Sequence, residues 1–353
     1  MGYCLGKPLL DYFGNGTENH DSPVWTPPVK DTSDISAETP NETEVTTSGE
    51  TPDTTTAPPE VTKNRYAVSI PASALLNSSS LSAYAAKASS EGYTAATVYL
   101  KDSSGYLRYA SEIESLKESE AVVGTLSVKE IFSVLNQNGL TPTAVVSVLK
   151  DNMGCAENPD MSYKVIDEDN ISWLDYTTES PVRWANPEST ATVDYNKAII
   201  DEIRMAGFNE ILLSDVIYPD FKDYDRKFID GRYFSAERYR YLMSVKFEGT
   251  GLTVNAEDII LNSYSNTAEI LKNRNELSGV TVGLIIKRGA FSAENGYPAD
   301  SAALIEDVMS QVSVLNPNIK FIPVIESKGF SPSEISAMRE KAEDMGYTDL
   351  FIW

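Results

Sequence analysis

The chain has 353 residues, 41% of them hydrophobic and 10% aromatic, and its 29 basic residues against 52 acidic ones give a formal net charge of -23. That is enough apolar material for one large core. The acidity excludes nucleic acid and anionic lipid surfaces as expected partners, because both require a basic field.

The opening stretch, residues 1–14, is apolar but too short to span a bilayer, and it carries Lys7 and Asp11. It reads as the juxtamembrane end of an anchor lying further upstream, the one route by which a membrane enters the expectations. Residues 15–64 are dominated by Thr, Pro, Glu, Ser and Asp. A segment with so little to bury does not offset its ordering entropy, so a disordered, extended linker is expected there. Linkers of this composition hold domains away from a cell surface, which makes an extracytoplasmic, surface-associated protein the expectation. An ordinary tail without an anchor is the alternative.

The single histidine, His20, falls in the linker. Ser-His-Asp and Cys-His catalysis and histidine-ligated metals are therefore not expected. Cys4 and Cys155 do not make a disulfide framework. No metal centre and no cofactor is expected, which leaves carboxylate, lysine or tyrosine chemistry.

From Arg65 onward, short β-branched runs alternate with helix-period segments, the pattern of repeated βα units around a parallel sheet. Eight strands are predicted: Tyr66 to Ile70, Ala96 to Leu100, Ala144 to Leu149, Glu210 to Val216, Gly251 to Ala256, Val280 to Ile286, Lys320 to Ile325 and Asp349 to Trp353. Helical segments are predicted over 80–93, 127–139, 192–208, 265–275, 301–316 and 331–347. Ser331, Pro332 and Glu334 form a helix opening with an N-cap serine, a proline at the first helical position and a capping-box glutamate. Asn186-Pro187 is expected to cap the helix that follows it. The size and repeat of residues 65–353 predict an α/β fold of the (β/α)8 TIM-barrel kind, with a doubly wound open sheet as runner-up. No glycine-rich dinucleotide or phosphate loop follows any of the strands.

Residues 93–111, 149–160, 183–189, 193–219 and 321–353 resemble a bacterial family of glycosyl hydrolase-like TIM-barrel domains related to the α-amylase type. The most specific pieces are Lys101-Asp102-Ser103-Ser104-Gly105-Tyr106 and Trp184-Ala185-Asn186-Pro187. The resemblance implies a barrel acting on a polysaccharide or oligosaccharide. It also implies Asp215 as nucleophile, Glu257 as acid and Glu326 as transition-state stabiliser, from the fourth, fifth and seventh strands. In the family the fourth strand ends in Asp-Tyr-Val-Arg-Phe-Pro, where this chain reads Ser214-Asp215-Val216-Ile217-Tyr218-Pro219. The acid is displaced by one. Successive strand residues face opposite sides, so Ser214 is expected in the mouth and Asp215 in the helix layer unless the strand end bulges. Glu326-Ser327 likewise stands where the family has Gln-Asp.

Apart from the resemblance, functional groups in TIM barrels sit at the C-terminal ends of strands. The acids there are Asp102, Asp151, Asp215, Glu257, Asp258 and Glu326, and glycoside hydrolysis needs two of them across one bond. Lys101, Lys150, Lys287 and Arg288 sit beside them, where they can bind an anionic sugar or simply pair with the neighbouring acids. Among the aromatic residues, Tyr106, Trp173, Tyr176, Trp184, Tyr218, Tyr297 and Trp353 are candidates for stacking on sugar rings. The candidate substrate-binding set is Lys101, Asp102, Tyr106, Asp151, Trp184, Tyr218, Lys287 and Trp353. Three readings follow: a glycoside hydrolase, a barrel that binds carbohydrate or cell wall without cleaving it, and a lysine-dependent lyase.

Overall fold

Eight runs rich in β-branched and small residues pair side by side, all in parallel, and close on themselves: the ring runs β1, β2, β3, β6, β7, β8, β9, β10 and back to β1. Their ranges are β1 (Arg65–Ser69), β2 (Ala95–Lys101), β3 (Thr141–Ser147), β6 (Glu210–Ser214), β7 (Gly251–Asn255), β8 (Thr281–Ile286), β9 (Lys320–Ile325) and β10 (Asp349–Ile352). The remaining two, β4 (Lys164–Val165) and β5 (Glu168–Ser172), form a separate antiparallel hairpin. The structure is a computed structural model. It describes residues 64–176, 180–234, 247–261, 279–315 and 317–353, the side chains of 169 and 170 excepted. The segment 1–14, the linker up to its last residue, Cys4, His20 and the helix expected over 265–275 lie outside the described residues.

Closure settles the fold as a (β/α)8 barrel and excludes the open sheet. The helices between the strands are α1 (Ser78–Ser90), α2 (Val128–Gln137), α3 (Asn152–Glu157), α4 (Thr190–Met205), α5 (Ala256–Ile260), α6 (Ser301–Ser313) and α7 (Pro332–Asp344). Helix α7 opens as its sequence predicts: Ser331 Oγ accepts from Glu334 N while the Glu334 carboxylate accepts from Ser331 N at 2.8 Å. The Asn186-Pro187 expectation is corrected. Helix α4 starts at Thr190 behind Ser189, and Asn186 instead accepts from Glu188 N at 3.0 Å and donates to Tyr233 Oη at 2.8 Å.

Alternation along the strands divides the apolar residues between two cores. Ala67, Ala95, Leu212, Ile322, Val324 and Phe351 fill the ring, whereas Val98, Ala144, Val146, Leu213, Phe321 and Leu350 pack outward within the larger cluster that includes the helices. At the N-terminal ends of the strands, Arg65 bridges Glu210 at 2.7 Å and Asp349 at 2.8 Å, Lys320 reaches Asp349 at 2.8 Å, and Thr143 donates to Glu210 at 2.7 Å. This network ties five strands together, β1, β3, β6, β9 and β10, on the face of a barrel that serves stability.

The connections after β3 and β6 are long and build on one another. The hairpin β4–β5 turns at Asp167, which has a φ of 64°. Trp173 Nε1 donates to Asp225 Oδ1 at 2.9 Å, linking the two connections, and the ring of Tyr163 meets those of Phe221 and Tyr233 edge-on between them.

Candidate functional site

The interior positions of the ring run upward to its C-terminal mouth. Paired residues such as Ser147 with Ser214 and Phe351 with Val324 share a face, so Tyr99, Ser147, Asn255, Glu326 and Trp353 stand at or just beyond the tops of their strands on the interior side. Simple alternation turns Asp215 outward. Instead its φ is 55°, a left-handed conformation that aspartate tolerates better than most residues. The turn brings its carboxylate back to the interior, where Oδ2 accepts from Ser147 Oγ at 2.7 Å and from Ser214 Oγ at 3.2 Å. The outward orientation expected for Asp215 is thereby corrected: the backbone absorbs the one-residue displacement.

Strand β2 contributes a second departure from alternation. Tyr99 pairs with Val145, but Lys101 pairs with Val146, so Leu100 is an extra residue and the strand bulges. Tyr99 keeps the interior side and Lys101 is thrown out toward α4. The Tyr99 ring packs edge-on against Trp353, with centroids 5.0 Å apart at 69°. Burial pushes the phenol well above its ordinary range, and the charges of Asp215 and Glu326 push it further. Asp215, just beyond β6, and Glu326, just beyond β9, thus stand at the same mouth as the phenol of β2.

Lys101 and Asp151 do not reach the mouth. Their side chains are both 0% exposed and form an ion pair at 2.6 Å, with Asn196 Oδ1 accepting from Lys101 Nζ at 3.0 Å and the ring of Tyr195 4.8 Å away. Asp151 Oδ1 also caps α3 through Gly154 N at 2.7 Å. Gly105 closes over it with a φ of 92°, and a Cβ there would lie 2.0 Å from Asp151 Oδ1. As ligand contacts both residues are corrected: a ligand has no access to either. Asp102 is also engaged, accepting from Ser104 N and Tyr106 N at 2.9 and 3.1 Å and from Arg108 Nε at 2.9 Å. It shapes its own turn. Tyr106 lies beneath the Arg108 guanidinium, 5.7 Å from it.

Glu257 opens helix α5 just beyond β7 and pairs with Lys287, at the end of β8, at 3.0 Å. Asn255 Nδ2 donates to the next acid, Asp258, at 2.9 Å. Burial raises the Asp258 carboxyl above its usual range and the charge of Glu257 adds to this, against the Asn255 amide and Lys287. This group of charges sits on the β7–β8 side of the mouth.

The aromatic candidates separate by burial. Trp173, Trp184 and Tyr218 are buried, and Trp184 donates its indole N–H to Asp175 at 3.0 Å, so they build the wall of the mouth and offer no stacking face. Their expected contact with a ligand is corrected on that ground. Tyr176 is 65% exposed, and Tyr297 packs edge-on with Phe291 at 4.8 Å. Trp353 is partly exposed at the mouth, and its indole N–H is buried without a hydrogen-bond partner among the described residues. Arg288 pairs with Glu334 at 3.0 Å, and Lys150 lies 5.9 Å from the Trp184 ring. Burial pushes the Cys155 thiol up to about 12, where it is a poor nucleophile.

Sequence reasoning missed Tyr99 and Ser147. Their type and position in an alternating strand were visible, but nothing in the one-dimensional pattern separated mouth from interior. Among the described residues no cluster of acids, Cys and His is arranged to hold a metal ion, and no helix is long and apolar enough to cross a membrane.

The model of a family described as "Putative glycosyl hydrolase domain" matches residues 67–246, just over half of the chain. Among solved structures, the chain is similar to the glycoside hydrolase domain of PgaB (BpsB) from Bordetella bronchiseptica. The two are 11% identical, with a TM-score of 0.52 over 82% of this chain and 94% of that one. A hypothetical protein from Ruminiclostridium thermocellum is 20% identical with a TM-score of 0.44, over 56% of this chain and 99% of that one. A family 20 β-N-acetylglucosaminidase is 13% identical with a TM-score of 0.42, over 74% of this chain, which spans about half of that one (52%). The PgaB likeness is one of fold. No curated protein matches the sequence.

Proposed function

The chain belongs to the family described as "Putative glycosyl hydrolase domain", and from that membership we propose that it hydrolyses glycosidic bonds of a polysaccharide or oligosaccharide held in the barrel mouth. The observation that carries this reading is the left-handed turn at Asp215, which brings its carboxylate onto Ser147 and into the electrostatic environment of Tyr99 together with Glu326. A strained backbone at a polar residue in a barrel mouth is the kind of outlier that clusters at working sites. Glycoside hydrolysis needs one carboxyl to protonate the leaving oxygen and a second to attack or to activate water. In this reading Asp215 is the nucleophile or base, Glu326 stabilises the charge that develops on the sugar, and Glu257 supplies the proton once substrate parts it from Lys287. Trp353 offers a flat face at the same mouth, suited to the C–H side of a sugar ring. The Thr/Pro-rich composition of 15–64 supports an extracytoplasmic, surface-associated setting for such a substrate.

A panel of glucans and wall polysaccharides, incubated with wild type, Asp215→Asn and Glu326→Gln, tests the proposal. Asparagine also tolerates the left-handed turn and still accepts from Ser147, so the fold is retained while turnover falls about a thousandfold or more. Hydrolysis that survives Asp215→Asn sinks the assignment. Glycan binding with no turnover by the wild type favours the reading in which the barrel only binds carbohydrate.

A further inference from the structure

Resting on the proposed carbohydrate site, we infer that Tyr99 is a specificity-determining residue, whose Oη donates a hydrogen bond to a hydroxyl of the sugar unit lying between Asp215 and Glu326. The bulge at Leu100 makes Tyr99 the last β2 residue on the interior side, because the next interior-type position is diverted into the wall with Lys101. Trp353, packed edge-on at 5.0 Å, holds the ring from the β10 side. Its hydroxyl has no hydrogen-bond partner among the described residues and is not among the buried orphan groups, so it opens toward the mouth. A phenol fixed by packing, its hydroxyl unpartnered among the described residues at the mouth that Asp215 and Glu326 also line, is a donor waiting for an acceptor. Burial and the two acids keep it un-ionised, which suits donation and excludes a role as nucleophile near neutral pH. A site built around such a donor discriminates against sugars that lack the matching hydroxyl, because the buried partner is then left unpaired.

The test compares wild type with Tyr99→Phe, which keeps the ring against Trp353 and loses only the hydroxyl. Binding of cellohexaose, maltohexaose and chitohexaose is measured by calorimetry, with thermal unfolding as the control for folding. The expected result is that at least one oligosaccharide binds wild type, and that Tyr99→Phe binds it roughly three- to tenfold more weakly with an unchanged unfolding temperature. Where the same oligosaccharide is cleaved, kcat/KM falls by a similar factor, while the limbs of the pH profile between about 4 and 9 stay in place because the lost group does not titrate there. Equal binding by the two proteins overturns the inference and leaves the hydrolase proposal standing. Loss of the alkaline limb in Tyr99→Phe also overturns it, by assigning the phenol a titrating role. Binding weakened by Tyr99→Phe without any cleavage supports the inference and sinks the hydrolase proposal alone. Failure of the wild type to bind any of the three overturns it together with the carbohydrate site.

Discussion

Replacing Asp151 with asparagine keeps the side chain's volume and its cap on Gly154 but strands the Lys101 ammonium where no solvent reaches it. Both side chains are 0% exposed and 2.6 Å apart, and the remaining neighbours of Lys101 Nζ are one amide oxygen at 3.0 Å and the Tyr195 ring at 4.8 Å. Removing one member of a buried pair costs about 3–5 kcal/mol, far more than the pair itself adds over a neutral replacement. The amide and the ring compensate in part, which places Asp151→Asn near the lower end, at about 3 kcal/mol. Lys101→Met leaves the opposite charge stranded and costs a similar amount. The double variant Lys101→Met/Asp151→Asn has no stranded charge and loses about 1 kcal/mol, so the coupling in the double-mutant cycle is on the order of 5 kcal/mol. Urea unfolding followed by tryptophan fluorescence reads all four proteins, with linear extrapolation to water. Single variants that each cost less than about 1 kcal/mol, or a double variant that costs the sum of the singles, would refute the burial argument and reopen Lys101 to solvent and ligand.

Gly105→Ala combines a φ of 92° with a Cβ placed 2.0 Å from Asp151 Oδ1. A loss of more than about 2 kcal/mol is expected in the same urea assay, and a neutral outcome would show that the Asp102 turn is not closed over the ion pair. At the other end of the barrel, burial raises the Asp349 carboxyl, but Lys320 and Arg65 outweigh it and hold the carboxyl below its ordinary range. A depressed folded value means that Asp349 adds stability at neutral pH, and that this is lost as pH falls below about 4, through the folded pKa. Asp349→Asn should therefore be less stable than wild type at pH 7, with the gap narrowing in acid unfolding toward pH 3; a gap that stays constant contradicts the linkage.

The ring was legible because its residues repeat a simple physical demand. Small and β-branched residues fill both faces of a parallel barrel, and the predicted strands overlap the observed ones with β9 matched end to end. Strand β3 begins at Thr141, three residues before the predicted Ala144, and ends at Ser147: Pro142 lacks an N–H but sits near the strand's beginning, where that loss matters least. The hairpin β4–β5 escaped notice because two residues of one strand carry no periodicity and its turn needs a left-handed Asp167. At the site, residue type identified the acids but backbone angle decided their use. Nothing in Ser214-Asp215-Val216 announces a φ of 55°, and without it the same letters point into the helix layer. Lys101 and Asp151 failed as ligand contacts because their partners lie far away in sequence, and a strand-end position alone does not distinguish a mouth from a wall. Trp184 and Tyr218 failed because the connections after β3 and β6 bury their own aromatics.

The extra residue at Leu100 acts as a phase shifter between two neighbouring side chains of opposite character. With it in place, the neutral phenol of Tyr99 looks into the mouth and the cation two positions later is locked away with Asp151. Were Leu100 taken up in regular alternation instead, Lys101 would face the interior on the side of Asp215 and Glu326, and Asp151 would be left in the wall without its partner. The sign of the charge facing the mouth from β2 therefore depends on how the strand is kinked at a single position, and not only on which residues it carries.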